Sequence, residues 1–255
     1  MGYDGLLVAS DGHVGRITLN RPERRNALSL ELLNDLDGAL HGFGDDCAVI
    51  ILGAEGPAFS AGHDMRDLID RPDSYYEELF SVSSKIMESI HELPQPVIAK
   101  VQGVATAAGC QLVASCDLAV AADDAWFATP GVSIGLFCTT PMVPVSRSIG
   151  RRRALQMLLT GEPIDAGTAV EWGLINAAVP ADELEDAVID LAAKVARFSP
   201  AVIALGKRAF YAQDDLHESE AYATAKPVMA ANAAAPAAQE GMSAFLEKRQ
   251  PQWPE

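Results

Sequence analysis

Short apolar runs alternate with amphipathic stretches over the first half of the chain, and amphipathic stretches take over in the second. Residues 6–9 and Val14–Leu19 read as two strands joined at Asp11-Gly12, a hairpin signal. Ser29 is placed to cap a helix whose apolar stripe is Leu32, Leu33, Leu36, Leu40 and Phe43. Residues 47–52, rich in β-branched side chains, read as a buried strand. The segment 56–65 is too rich in small residues to be core. A capping-box pair, Ser74 and Glu77, opens a helix with Leu79, Phe80, Ser83, Met87 and Ile90 on one side, and Pro94 stops it. Val97–Val101, Leu118–Ala122 and Trp126–Ala128 read as three more strands. From about Thr140 the pattern is almost all helical, over Arg151–Thr160, 165–172, 183–198, Pro200–Gln213 and 217–249, with 174–179 as a single strand. Strands that alternate with helices predict a mainly parallel α/β core.

One stretch stands out. After the strand Val97–Val101, Gly103 turns the chain, and four small residues, Ala105 to Ala108, lead through Gly109 into an apolar helix. Small side chains at a helix start let something approach the backbone. The unpaired N–H groups there, helped by the helix dipole, suit an anion or a polarised oxygen. That is the physics of an oxyanion hole. A helix packed tightly against a sheet would need the same small residues for space alone.

Composition narrows the options. Nineteen basic against 35 acidic side chains give a formal charge of −16, which argues against nonspecific nucleic-acid binding. An anionic ligand must be held by local Arg and Lys against that field. The 49% hydrophobic content supports a full core. The four cysteines, Cys47, Cys110, Cys116 and Cys138, lack metal-like spacing and read as reduced thiols in apolar surroundings. His13, His41, His91 and His217 are scattered, so no metal site is expected. There is no GxGxxG and no Walker lysine motif. Residues 1–10 carry no basic region followed by a long apolar run, and no stretch is long enough to span a membrane; a cytoplasmic location is the expectation.

Five motifs, in order, carry a resemblance: Asn20-Arg21-Pro22 with Asn26-Ala27-Leu28; Phe59-Ser60-Ala61-Gly62-His63-Asp64; Gly103 to Asp117; Leu159-Thr160-Gly161-Glu162-Pro163 with Trp172-Gly173-Leu174; and Glu240-Gly241-Met242-Ser243-Ala244-Phe245 with Lys248-Arg249. Together they resemble the crotonase (enoyl-CoA hydratase/isomerase) superfamily, over nearly the whole chain. The wording from Ala105 to Asp117, with Phe127 to Val132 and Gly135 to Cys138, resembles one branch of it, that of enoyl-CoA hydratase domain-containing protein three.

The resemblance implies an α/β fold, a crotonase/ClpP-like spiral of ββα units over residues 1–195, followed by a C-terminal helical trimerisation region over 196–255. It implies a homotrimer or a dimer of trimers. It implies an acyl-CoA thioester as substrate, no bound cofactor, and neither nucleic acid nor membrane as partner. Two backbone N–H groups, aligned with His63 and Ala108, would grip the thioester carbonyl and stabilise an enolate. Coenzyme A would lie along Arg24, Arg25 and Ala27 and along Ala61, His63, Asp64 and Met65, and Phe245 and Lys248 would reach a neighbour's coenzyme A.

The same alignment exposes a departure. Family hydratases use two glutamates to place and activate one water; here those positions are Gln111 and Gly131. The position where other members carry an aspartate falls near Thr139, beside Cys138. Gln cannot take a proton at pH 7, and Gly brings only backbone. A positioned acid or base is worth about 10²- to 10⁴-fold, whereas each oxyanion-hole donor, worth about 10²- to 10³-fold, is retained. Binding and enolate stabilisation are therefore expected, and efficient hydration is not. Isomerisation, thioester hydrolysis and non-catalytic acyl-CoA binding are the alternatives, with His63, Cys138, Thr139 or an anion bound in the room left at Gly131 as proton carriers. Phe80, Trp126, Phe137 and Met142 are candidate pocket walls.

Overall fold

The computed structural model describes residues 3–254. Strands β1 (Leu6–Asp11) and β2 (Val14–Leu19) form the expected antiparallel hairpin. Helix α1 (Leu30–Leu40) follows, with Ser29 accepting from the Leu32 N–H at its N-cap. The chain then runs three times through one unit of long strand, short strand and helix. The units are β3 (Val49–Ala54), β4 (Ala58–Ser60) and α2 (Asp73–Glu92); β5 (Val97–Val101), β6 (Val104–Thr106) and α3 (Ala108–Ser115); and β7 (Leu118–Ala122), β8 (Trp126–Ala128) and α4 (Met142–Ile149), the last preceded by a 3-10 turn over Pro130–Ile134. Helix α5 (Arg151–Thr160), β9 (Ile164–Asp165), α6 (Ala166–Trp172), β10 (Ala177–Val179), α7 (Leu184–Ala196), α8 (Pro200–Gln213), α9 (Glu218–Ala234) and α10 (Pro236–Glu247) complete it.

Each unit contributes to two sheets. The long strands make a six-stranded sheet in the order β1-β2-β3-β5-β7-β10, parallel after the first pair; the short ones make a second sheet, β4-β6-β8-β9. This is the ββα spiral. Strand β3 is buried at all six positions because both faces of the large sheet are covered. On one face Leu32, Leu36, Leu79 and Ile90 of the helices meet Ile50, Leu52 and Ala99. On the other, Leu184, Val188 and Ala192 of α7 meet Val49, Ile51, Ile98 and Val120. Glu185 latches α7 to the sheet through Arg16 (2.7 Å) and Lys100 (2.5 Å).

Successive units stack backbone to backbone, which explains the small residues. A Cβ on Gly103 would lie 2.3 Å from the Pro57 carbonyl oxygen, and one on Gly109 2.2 Å from that of Ser60. This close stacking corrects the reading of 56–65 as surface loop: Ala58, Phe59 and Ser60 are a fully buried strand. Other expectations shift as well. Helix α2 begins at Asp73 behind Pro72, with no side-chain cap, so Ser74 and Glu77 form no capping box. Helix α4 fills a stretch not read as an element, and the last helical stretch breaks at Ala235-Pro236, where Pro236 takes the first turn of a new helix. The strand expected over 174–179 narrows to β10.

Helix α8 is docked on the spiral by one buried lysine. Lys207 donates to the carbonyls of Ile90 (2.6 Å) and Gln95 (2.8 Å) and to Asp117 Oδ2 (2.7 Å), and Tyr211 donates to Asp117 Oδ1 (2.9 Å). Beyond it α9 buries no residue and α10 buries only Ala237 and Ala244. Among the described residues no helix is long and apolar enough to cross a membrane.

Candidate active site

The loop after β2 is stitched to the loop after β4. Asn26 is fully buried; its Oδ1 accepts from the Arg21 N–H, and its Nδ2 donates to the carbonyls of Glu55 (2.9 Å) and Ala58 (2.8 Å). The Ser60 hydroxyl donates to the Asn26 carbonyl (2.8 Å) and accepts from the Gly62 N–H (3.2 Å). Leu28 and His63 then pair as a parallel bridge: the Leu28 N–H donates to the Gly62 carbonyl (2.8 Å), and the Asp64 N–H to that of Leu28 (3.4 Å). In a parallel bridge the middle residue's own N–H points the other way. The His63 N–H is therefore turned away from Leu28.

The start of α3 lies beside it. Ala107 is the N-cap, at φ 51° and ψ −118°, with no capping side chain. The Gln111 N–H is the first to reach a carbonyl of the helix, that of Ala107 (2.9 Å), so the Ala108 N–H has no helical acceptor. Gly62, at φ +88°, is what lets the two segments touch: a Cβ there would lie 3.2 Å from the Ala108 nitrogen and 2.9 Å from the Thr106 oxygen. The backbone of His63 and the N-terminus of α3 thus meet at a site that only a glycine leaves open.

The side chains around this point are short of partners. His63 Nδ1 faces the Leu28 carbonyl at 3.3 Å, and its ring stands edge-on to Phe80 at 5.4 Å. A carbonyl only accepts, so Nδ1 holds the proton, and the buried Nε2, which has no partner among the described residues, is left with a lone pair. Burial holds the His63 pKa below the usual imidazole range, against a smaller upward pull from the Leu28 carbonyl. Gln111 is buried, and its Oε1 also lacks a partner, as does the Thr129 hydroxyl.

The Gly131 position is closed. A Cβ there would lie 2.2 Å from the Leu136 carbonyl oxygen and 2.8 Å from Cys138 Sγ, and the Leu136 N–H donates to the Gly131 carbonyl at 2.9 Å. The expected room for an anion at Gly131 is therefore filled by the chain's own 136–138 segment. Burial raises the pKa of Cys138, with an opposing contribution from the Gly131 backbone, and raises that of Cys110 to about 12. Neither thiol is set up as a thiolate nucleophile. All four cysteines are free; Cys110 and Cys138 are buried, whereas Cys47 and Cys116 are half-buried. Thr139 is exposed and borders, with Gln111, a cavity of about 660 Å³.

The two stitched loops bring Arg24, Arg25 and Ala27 alongside Ala61, Asp64 and Met65. The Ala61 N–H donates to the Arg25 carbonyl (3.0 Å), and Arg24 pairs with the buried Asp64 (3.2 Å). Arg25 is exposed at φ 52°, and Met65 is 43% exposed. Arg24 also borders a second cavity of about 570 Å³ with Arg21, Asp67 and Tyr75. Phe245 and Lys248 are exposed on and after α10 and belong to neither loop. Phe80 is half-buried against His63, whereas Trp126, Phe137 and Met142 are each about two-fifths exposed. Among the described residues no cluster of His, Cys, Asp and Glu could hold a metal.

The sequence pattern described as enoyl-CoA hydratase/isomerase matches residues 10–255. The chain belongs to the enoyl-CoA hydratase/isomerase family. It is 48% identical over 243 residues to the rat mitochondrial enoyl-CoA hydratase domain-containing protein 3, covering 94% of this chain and 81% of that one. The crystal structure of the human enoyl coenzyme A hydratase domain-containing protein 3 superposes with a TM-score of 0.96 at 45% identity, covering 98% of this chain and all of that one. An enoyl-CoA hydratase structure from Mycobacterium smegmatis gives the same TM-score and identity. The fold and family expected from the five motifs are thereby borne out, including the likeness to the domain-containing protein 3 branch.

The expected cytoplasmic location is overturned: the rat, mouse and human members of this family that the chain resembles are all named as mitochondrial. That expectation rested on a missing signal in ten residues, and a missing signal carries no address. Sequence reading quoted Asn26 and Asp117 only as members of motifs; it did not foresee that Asn26 joins the two loops or that Asp117 holds Lys207 and Tyr211. An asparagine in a polar loop and a lysine in an amphipathic helix look like surface until a fold buries them.

Proposed function

We propose that this chain binds acyl-CoA thioesters and stabilises the thioester enolate through the backbone N–H groups of His63 and Ala108, without being an efficient hydratase. The observation that carries the reading is the meeting of the outward-turned His63 N–H with the unpaired N-terminus of α3 across Gly62. Two such donors, fixed before the ligand arrives, cost no reorganisation when negative charge develops on the carbonyl oxygen. The buried start of α3 adds its dipole. Arg24 and Arg25, with Ala27, Ala61, Asp64 and Met65, supply the walls for coenzyme A. The reading divides the chain into a spiral core over 1–195 and an assembling region over 196–255, and makes the working form a trimer or a dimer of trimers, with Phe245 and Lys248 turned to the neighbour.

Hydration is set aside for a steric reason as well as a chemical one. A neutral amide stands where one glutamate is expected, and at the other position a side chain of any kind collides with Leu136. Gln111→Glu together with Gly131→Glu is therefore expected to destabilise the protein without raising hydration. Of the ring and thiol groups near the site, His63 Nε2 is the one with a free lone pair, which favours proton transfer by His63 over any role for Cys138 or Cys110.

The test is to incubate the purified protein with a panel of saturated and 2-enoyl-CoAs and to weigh products and bound ligand in the same sample. Retained thioester with no gain of water above buffer is the expected result. A product one water heavier, formed well above the buffer rate, would restore hydration. Failure to retain any thioester would remove the reading altogether.

A further inference from the structure

Four helices end at one place, and a cavity opens there. Helices α2, α3, α4 and α8 close at Glu92, Ser115, Ile149 and Gln213. From their last turns His91, Ser115, Arg147 and Tyr211 line the cavity of about 660 Å³. Side-chain contacts join the four ends. The His91 and Tyr211 rings stack at 4.0 Å. The Tyr211 hydroxyl donates to Asp117 (2.9 Å), two residues past α3, and Arg147 donates to Asp215 (3.1 Å), two residues past α8. Arg147 and Asp215 are half and three-quarters exposed, so this end is open to solvent. Each helix C-terminus carries about half a negative elementary charge, and four of them make the mouth attractive to a cation. The ionised side chains add to this. Arg147 is taken by Asp215, and the buried Lys207 by Asp117. Glu88 and Asp214 also line the cavity and have no ion-pair partner among the described residues. Burial lowers the pKa of His91, so its ring brings no charge near neutral pH. Phe210, 56% exposed and edge-on to Tyr211, offers a ring face.

Farther back along α2, α3 and α4 the lining turns apolar at Met87, Ala114 and Val143, then polar again at Ser84, Gln111 and, just before α4, Thr140. Gln111 is 2% exposed, and its amide oxygen has no partner among the described residues. Such an oxygen calls for a donor. Gln111 and Ser115 are four residues apart, about 6 Å along α3, so one short aliphatic chain reaches from the mouth to the amide. We infer that this cavity binds a short aliphatic amino alcohol, with its ammonium among the four helix ends beside Glu88 and Asp214, its methylenes against Met87, Ala114 and Val143, and its hydroxyl donating to Gln111. A second ammonium would face the positive end of α3, so the inner donor is a neutral one. The mouth takes the charge opposite to that of coenzyme A, and the inference does not depend on where a thioester lies.

The test is an NMR titration of the intact protein, read at the His91 ring, with three probes of one length: 5-aminopentan-1-ol, pentylamine and 5-hydroxypentanoate. The amino alcohol is expected to bind about fivefold more tightly than pentylamine, which lacks the inner donor, and at least about tenfold more tightly than the anion. Glu88→Gln with Asp214→Asn, both exposed positions, is expected to weaken the amino alcohol about fivefold. Asp45→Asn with Asp46→Asn removes the same charge from an exposed turn elsewhere and is expected to change nothing. Equal weakening by the two pairs would mean attraction to bulk charge only and overturns the inference. So does an anion that binds as well as the amine, an amine that binds as well without its hydroxyl, or no shift at His91 with any probe. None of these results touches the proposed function, which acyl-CoA binding tests separately.

Discussion

A single methyl group on Gly62 would enter the space shared by Thr106, Ala107 and Ala108, and would also strain a backbone held at φ +88°. Gly62→Ala is expected to lower thioester binding and turnover by about 10²- to 10³-fold, the worth of a displaced donor, and stability by about 1–2 kcal/mol. Ligand titration and thermal denaturation of the same sample separate the two effects. Residue-scale electrostatics give a second prediction. Burial holds both His63 and His91 below the ordinary imidazole pKa of 6.5. Below that pH the unfolded chain takes up protons that the folded one refuses, so stability rises with pH through this window. Denaturant midpoints should be flat above about pH 6.5 and fall on acidification, less steeply in His63→Gln. Some of this was legible in the sequence and some was not. The small residues from Ala105 to Gly109 announced a backbone approached closely, and the absence of acid at Gln111 and Gly131 was plain. What filled the space beside Gly131 depended on Leu136 folding back onto it, a contact between residues that no periodicity relates.

At the scale of elements, the docking of α8 depends on one cation. Lys207 and Asp117 sit with side chains only 5% and 12% exposed, and Asp117 also accepts from the Val97 N–H (2.7 Å) at the start of β5. Lys207→Met leaves that carboxylate without its cation and is expected to cost about 3–5 kcal/mol. Adding Asp117→Asn should return much of the loss, a double-mutant cycle readable by urea denaturation. In the large sheet β3 and β5 were legible because short runs rich in Val and Ile, bounded by turn residues, suit a buried strand. Of the short strands, β8 was legible at Trp126–Ala128, whereas β4 and β6 were not. β4 and β6 are three residues each and lie where small side chains suggest loop, and their reason for existing is the neighbour stacked 2.2 to 2.3 Å from an imagined Cβ. Helix α4, which no reading of the sequence assigned, carries Pro141 at its N-cap and Pro144 in its first turn, where proline is tolerated.

At the scale of the whole molecule, the last two helices leave Tyr222, Met229, Phe245 and Leu246 between 63% and 82% exposed. The proposed trimer would cover apolar side chains of this kind. Phe245→Glu with Leu246→Glu is expected to give a smaller species by sedimentation with an unchanged far-UV spectrum. The packing at Gly131 carries a consequence of another kind. Once a chain has settled the 136–138 segment onto a bare α-carbon, no single codon change at that position can bring a side chain back. The 136–138 segment would have to retreat first, so the vacancy at residue 131 is maintained by packing: a larger residue there is a question of refolding a loop and not of exchanging one side chain.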